Sequence, residues 1–177
     1  MAVTQSLAVD QIGQSIEGNY STVRIRWTST QTGSSHNGFT RTAYYYISIN
    51  GGAEQEYTVS YTLPANTTQV ILDTTITVPH NADGTGTVAV RTWMDTNISA
   101  GVVRTSKTVN LSTIPRATTA EIGAMTMGKD GTIFLSPASS SFRHTLVYYF
   151  GEATGTIASK TAATSISWTP PKTLAEQ

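Results

Sequence analysis

Along most of this chain apolar residues recur at every second position, and no long segment carries them at the three-and-four spacing of a helix. In STVRIRWTST (21–30), Val23, Ile25 and Trp27 fall on one side, while Thr22, Arg24, Arg26 and Thr28 fall on the other. AYYYISINGGAEQEYTVSYTL (43–63) reads as a hairpin: Tyr45, Ile47 and Ile49 alternate on one arm, Tyr57, Val59, Tyr61 and Leu63 on the other. Between the arms, Asn50-Gly51-Gly52 is a signal for a tight turn at positive φ. TQVILDTTITV (68–78) predicts a further strand with a bend at Asp73. TVAVRTWM and VVRTSKTVNL predict a second hairpin across DTNISAG (95–101).

This gives about six or seven strands in the first ~110 residues, a density that predicts an immunoglobulin/fibronectin-like β-sandwich, with a barrel or jelly roll as the alternative. The expected organisation is a sandwich domain over residues 1–112, a linker over 113–120 around Pro115, and a second, smaller β domain over 121–177. The smaller unit is read from EIGAMTM, GTIFLS, HTLVYYFG, GTIASK and TSISWTP. So short a β unit buries little surface by itself. Its last stretch, SWTPPKTLAEQ, opens a new segment and stops, as expected of a C-terminally truncated domain or of a unit leaning on a neighbour.

Composition sharpens the all-β reading. Hydrophobic residues are 38% and charged residues 12% of the 177, and Ser and Thr exceed a quarter of all positions. Thr suits a half-exposed pleated face. The net charge of +0 and the lack of any basic block leave nucleic-acid binding without an electrostatic footprint. With no Cys, the fold is expected to hold without disulfides and suits a reducing cytosol. The N-terminal residues lack a signal-peptide pattern, and no apolar run approaches the ~20 residues of a membrane span, so membrane insertion is not expected.

Candidate chemistry is sparse. The three histidines, His36, His80 and His144, lie in separate segments, and no G-x-S-x-G elbow is present. Glu54 and Glu56 share a strand face beside a turn, where a solvated surface is the expected role. No catalytic residue, metal site or cofactor is therefore assigned, and the chain is expected not to be an enzyme. VPHNADGTGTVAVRTW (78–93) places His80, Asn81 and Asp83 close together. Calcium wants six to eight oxygens and zinc wants more His or Cys. A turn fits better: Asn81 or Asp83 bonds the backbone and Gly84 takes positive φ. Asn19, Asn66, Asn97 and Asn110 match N-x-Ser/Thr, as a chain rich in Ser and Thr does by chance.

Aromatic residues give the stronger lead. If Tyr45 faces the core with Ile47, then Tyr44 and Tyr46 face outward. Val88 and Val90 share a face, so Arg91 and Trp93 lie opposite it. Tyr44, Tyr46, Arg91 and Trp93 are thus the candidate contact ledge, for a sugar ring or a protein partner. Trp27 and Trp168 alternate with β-branched residues and are expected to be core anchors.

Three stretches taken together, VPHNADGTGTVAV, VVRTSKTVNLSTIPRATT and LSPASSSFRHTLVYYFG, resemble a family of siphovirus minor structural proteins of unassigned function, from tail or tail-tip assemblies of phages of Gram-positive bacteria. The shared marks are a HNADG turn, an IPRA linker and a P-A-S-S-S-F-R segment, in this order. The resemblance implies a virion component of the phage tail, made in the bacterial cytoplasm, that serves tail-tip or fibre assembly or host-surface attachment. It supplies no catalytic residues. The implied partners are other tail subunits and host cell-surface polysaccharide, with homo-oligomers such as trimers expected from the avidity they give weak sites. The alternative is a carbohydrate-binding module that recognises host cell-wall polysaccharide.

Overall fold

A computed structural model describes residues 2–33, 40–96 and 100–176. His36 and Asn97 lie outside the described residues. The chain is all-β and divides into two compact units, Met1–Ile114 and Pro115–Gln177.

The first unit holds seven strands: β1 (Ala2–Ser15), β2 (Tyr20–Thr32), β3 (Arg41–Ile49), β4 (Gln55–Tyr61), β5 (Thr68–Pro79), β6 (Thr87–Asp95) and β7 (Val102–Asn110). They form two antiparallel sheets, ordered β1-β2-β5 and β4-β3-β6-β7. The sheets face each other across a core to which both contribute. Val9, Val23, Ile25 and Val78 of one sheet pack with Ile47, Val88 and Val90 of the other. At the opposite end Trp27 and Ile71 pack with Ala43, Tyr61 and Met94. The alternation in β2 explains its central place, since Val23, Ile25 and Trp27 are each 0% exposed. On its outer side Arg24 and Arg26 reach Asp73 of β5, at 2.6 and 3.6 Å.

Two departures from the sequence pattern have local causes. The irregularity expected at Asp73 falls instead at Ile71, where the β2–β5 register shifts between Trp27 and Thr28. The extra residue turns both Ile71 and Leu72 toward the interior. Asp73 stays in regular register opposite Arg26. Strand β1 has Gln5 and Gln11 at inward positions, and a bulge between Gln11 and Gly13 sets Ile12 outward, 57% exposed.

The β3–β4 hairpin turns at Asn50 (φ 52°) and Gly51 (φ 72°), with Gly52 N–H donating to the Ile49 carbonyl at 2.9 Å. Positive φ at both central residues matches the right-handed twist of the flanking strands. Asn50 also ties two other strands together: its side chain donates to the Pro79 carbonyl (2.8 Å) and accepts from Thr87 N–H (2.9 Å). A Cβ at Gly51 would meet nothing within 4 Å, so only backbone strain opposes one. Gly51→Ala is therefore expected to cost about 1–2 kcal/mol, read by denaturant unfolding, with the fold unchanged.

The stretch around Pro115 is structured on both sides. Ile114 is fully buried, and its N–H donates to the Gly84 carbonyl at 2.9 Å. Thr119 and Ala120 already belong to the next strand. The second unit comprises β8 (Thr119–Ile122), β9 (Gly131–Ser136), β10 (His144–Phe150), β11 (Ala153–Thr161) and β12 (Ser165–Trp168), then a short 3-10 turn at Lys172–Glu176. Its sheets are ordered β12-β9-β8 and β10-β11. Ile133, Leu135 and Leu174 are its buried hydrophobic residues among those described. Trp168 is half-buried and stacks on Tyr148 with centroids 5.2 Å apart.

Candidate functional site

Two places in the first unit gather the residues that the sequence singles out. The first is the connection between β5 and β6. His80 is 8% exposed and uses both ring nitrogens. Nδ1 lies 2.6 Å from the Gly84 carbonyl and Nε2 lies 2.8 Å from Ser21 Oγ. A carbonyl oxygen can only accept, so Nδ1 carries a proton and donates, while Nε2 pairs with the Ser21 hydroxyl. Ser21 Oγ in turn accepts from Gln11 Nε2 (3.1 Å), and Gln11 Oε1 accepts from Ser112 N–H (2.8 Å). Asp83 Oδ1 accepts from the Thr85 N–H (2.9 Å) and hydroxyl (2.6 Å), which hold its carboxyl below the usual range. Asn81 Nδ2 donates to Thr85 Oγ1 at 3.0 Å, and Gly84 adopts φ 84°. Asn19 Nδ2 donates to the carbonyls of His80 and Asn81. This arrangement fastens a turn to β1, β2 and the end of the unit, with both His80 ring nitrogens hydrogen-bonded inside it.

The second place is the outer face of the four-stranded sheet. Strand alternation sends Tyr44 and Tyr46 to that face. The β3–β6 register sets Tyr44 opposite Trp93 and Tyr46 opposite Arg91. All four side chains are half-buried and adjoin. The Tyr44 and Trp93 rings meet edge to face at 5.3 Å between centroids. The Arg91 guanidinium stands 3.9 Å from the Tyr46 ring centre. Tyr45, on the other face, stacks on Tyr57 at 5.1 Å and packs against the core.

The sequence pattern does not reveal what fixes Arg91. Glu54, in the loop before β4, accepts two hydrogen bonds from it, from Nε at 3.2 Å and from a terminal nitrogen at 2.6 Å. Glu56 lies directly opposite Tyr46 and accepts from its hydroxyl, which raises the phenol's pKa. The two glutamates set apart as solvated surface thus flank the ledge. Shallow grooves of ≈ 480 Å³ (Thr40, Arg41, Thr42, Tyr44, Trp93, Asp95) and ≈ 220 Å³ (Tyr44, Tyr46, Trp93) share its central ring pair. Arg91 lowers the Glu54 pKa, chiefly through those hydrogen bonds. A depressed folded-state pKa stabilises fully above the ordinary carboxylate range and loses its contribution as pH falls through the folded value. Arg91→Gln is expected to raise the Glu54 titration midpoint toward that of an ordinary solvated carboxyl, read by carboxyl-carbon NMR.

The ledge offers ring faces and edges, a guanidinium, two carboxylates and hydroxyls on a rigid sheet. That is the chemistry of recognition. Among the described residues no three His, Cys, Asp or Glu side chains gather as a metal site. No helix among them is long and apolar enough to cross a membrane. No curated protein matches the chain. A family model described as siphovirus protein of unknown function (DUF859) matches residues 3–177. That match takes in both units, and with them the β5–β6 turn and the aromatic face: the chain belongs to this siphovirus protein family.

Proposed function

We propose that the chain is a non-enzymatic structural protein of the siphovirus tail, near its host-facing tip, and that the outer face of its four-stranded sheet is its contact surface. The observation that carries this reading is the pre-ordered ledge of Tyr44, Tyr46, Arg91 and Trp93. Tyr, Trp and Arg are the residues most enriched among those that dominate protein contact energies, and Tyr and Trp bring large area at little rotamer cost. Here each is already braced by a cross-strand partner, so less freedom is lost on docking.

The strand order supports an immunoglobulin/fibronectin-like class for the first unit. Lettered along the chain, β1, β2 and β5 take the A, B and E places, and β3, β6 and β7 take C, F and G. The fourth strand pairs with β3, where the constant-type immunoglobulin arrangement pairs it with E. A structural role also accords with His80, whose two nitrogens are spent within the fold. The partners are other tail subunits, and display on a homo-oligomer, such as a trimer, would multiply a weak contact.

A second reading, a module for host cell-wall polysaccharide, is favoured by one observation: flat rings lie beside Glu54, Glu56 and Arg91 on an open face. Both readings place the contact on the same residues. Tyr44→Ala and Trp93→Ala are each expected to weaken binding about tenfold or more with the sandwich still folded. Co-sedimentation with purified tails and with host cell walls reads the loss and tells the partners apart. Undiminished binding of both variants would remove the ledge from the account.

A further inference from the structure

Two sequence marks, IPRA and PASSSFR, are absorbed neither by the ledge nor by the turn, and in the second unit they meet. The Arg116 guanidinium stands over the Phe142 ring at 5.0 Å. Arg143 folds back on its own loop, where one terminal nitrogen donates to the carbonyls of Ser140 (3.2 Å), Ser141 (3.0 Å) and Phe142 (3.0 Å). The Thr118 hydroxyl and His144 Nδ1 lie 3.5 Å apart. Arg116, Thr118, Phe142, Arg143 and His144 line one shallow cleft of ≈ 280 Å³.

The charge distribution gives that cleft a sign. Residues 115–177 contain five Lys or Arg and four Asp or Glu. Two of the five cations line the cleft, together with an imidazole and a hydroxyl, and none of the four carboxylates is among the lining residues. Both guanidinium groups are positioned before any ligand arrives: one by three carbonyl acceptors, the other by an aromatic face. A planar guanidinium matches the oxygens of an oxyanion in a way that an ammonium cannot. The volume lies just below the range of sites that enclose a drug-sized molecule, so it suits one compact anionic group.

We propose that this cleft binds a phosphate group, carried either free or in a phosphodiester. A phosphate presents oxygens in several directions at once, as donors from two separate loops require. The inference stands apart from the ledge, which belongs to the other unit. An open cleft in water keeps the attraction modest and salt-dependent, so millimolar affinity is expected.

The test is two-dimensional amide NMR of the full chain titrated with inorganic phosphate at constant ionic strength. Saturable shifts are expected at Thr118, Phe142 and His144, weakened about tenfold or more by Arg116→Gln. If that variant disturbs the fold, Thr118→Val, which removes a hydroxyl and keeps the side-chain shape, is expected to weaken the same shifts. Dimethyl phosphate and glycerol 2-phosphate separate the sources. Binding of the diester marks a phosphodiester-linked polymer as the ligand, and binding of the monoester alone marks a free phosphate. Equal shifts with sodium chloride or sodium acetate, or undiminished phosphate shifts in both variants, would overturn the proposal.

Discussion

Trp27→Ala is expected to destabilise the first unit by about 3–5 kcal/mol. The indole sits midway along β2, opposite Leu7 on β1 and Leu72 on β5, and is 0% exposed. It shares one buried cluster with Ala43 and Met94 of the facing sheet. Truncation of the largest fully buried side chain leaves a void that the two sheets close only in part. A loss of this size is a large fraction of a domain's usual stability. Trp27→Phe provides the control. The indole Nε1–H is buried and has no partner among the described residues, so removing it relieves an unpaired donor while a ring remains. Phe is therefore expected to cost far less than Ala. Denaturant unfolding, followed by amide resonances of Val23 and Val88, measures both.

His80→Ala is expected to cost on the order of 3 kcal/mol, from two lost hydrogen bonds and the volume of a buried ring. Gly86 provides an independent check on how tightly the ring is held. A Cβ at that position would come within 2.9 Å of His80 Nε2 and 3.0 Å of two ring carbons. The ring cannot step aside cheaply, because Ser21 and Gly84 hold it on both sides. Gly86→Ala is thus expected to be destabilising in the native background and nearly neutral once His80 is Ala. The coupling in this double-mutant cycle should exceed ~0.5 kcal/mol, the usual additivity error for independent sites. Simple additivity would show that the ring is not wedged as described.

Much of the fold was legible because short-range signals suffice for hairpins. Asn50-Gly51 announces its turn, and β6 and β7 alternate cleanly. Strand β1 was obscured by Gln5 and Gln11, inward residues whose partners lie elsewhere in the chain: Gln11 serves Ser21 and Ser112. The parity of alternation put Tyr44, Tyr46, Arg91 and Trp93 on outer faces. It could not say that β3 and β6 are neighbours, since their pairing skips two strands. For the same reason nothing local marks Glu54 as more than solvated surface, although it holds Arg91, 37 positions away. The local pattern places His80 in a turn. Its role depends on Ser21, 59 positions distant, which no local pattern encodes.

As proposed above, this chain is built into the siphovirus tail. Quantitative mass spectrometry of gradient-purified virions tests it most directly. The account predicts peptides from both units at a fixed, small copy number relative to the major tail protein, resistant to high-salt washing. Detection only in the infected-cell lysate, and not in purified particles, would contradict it.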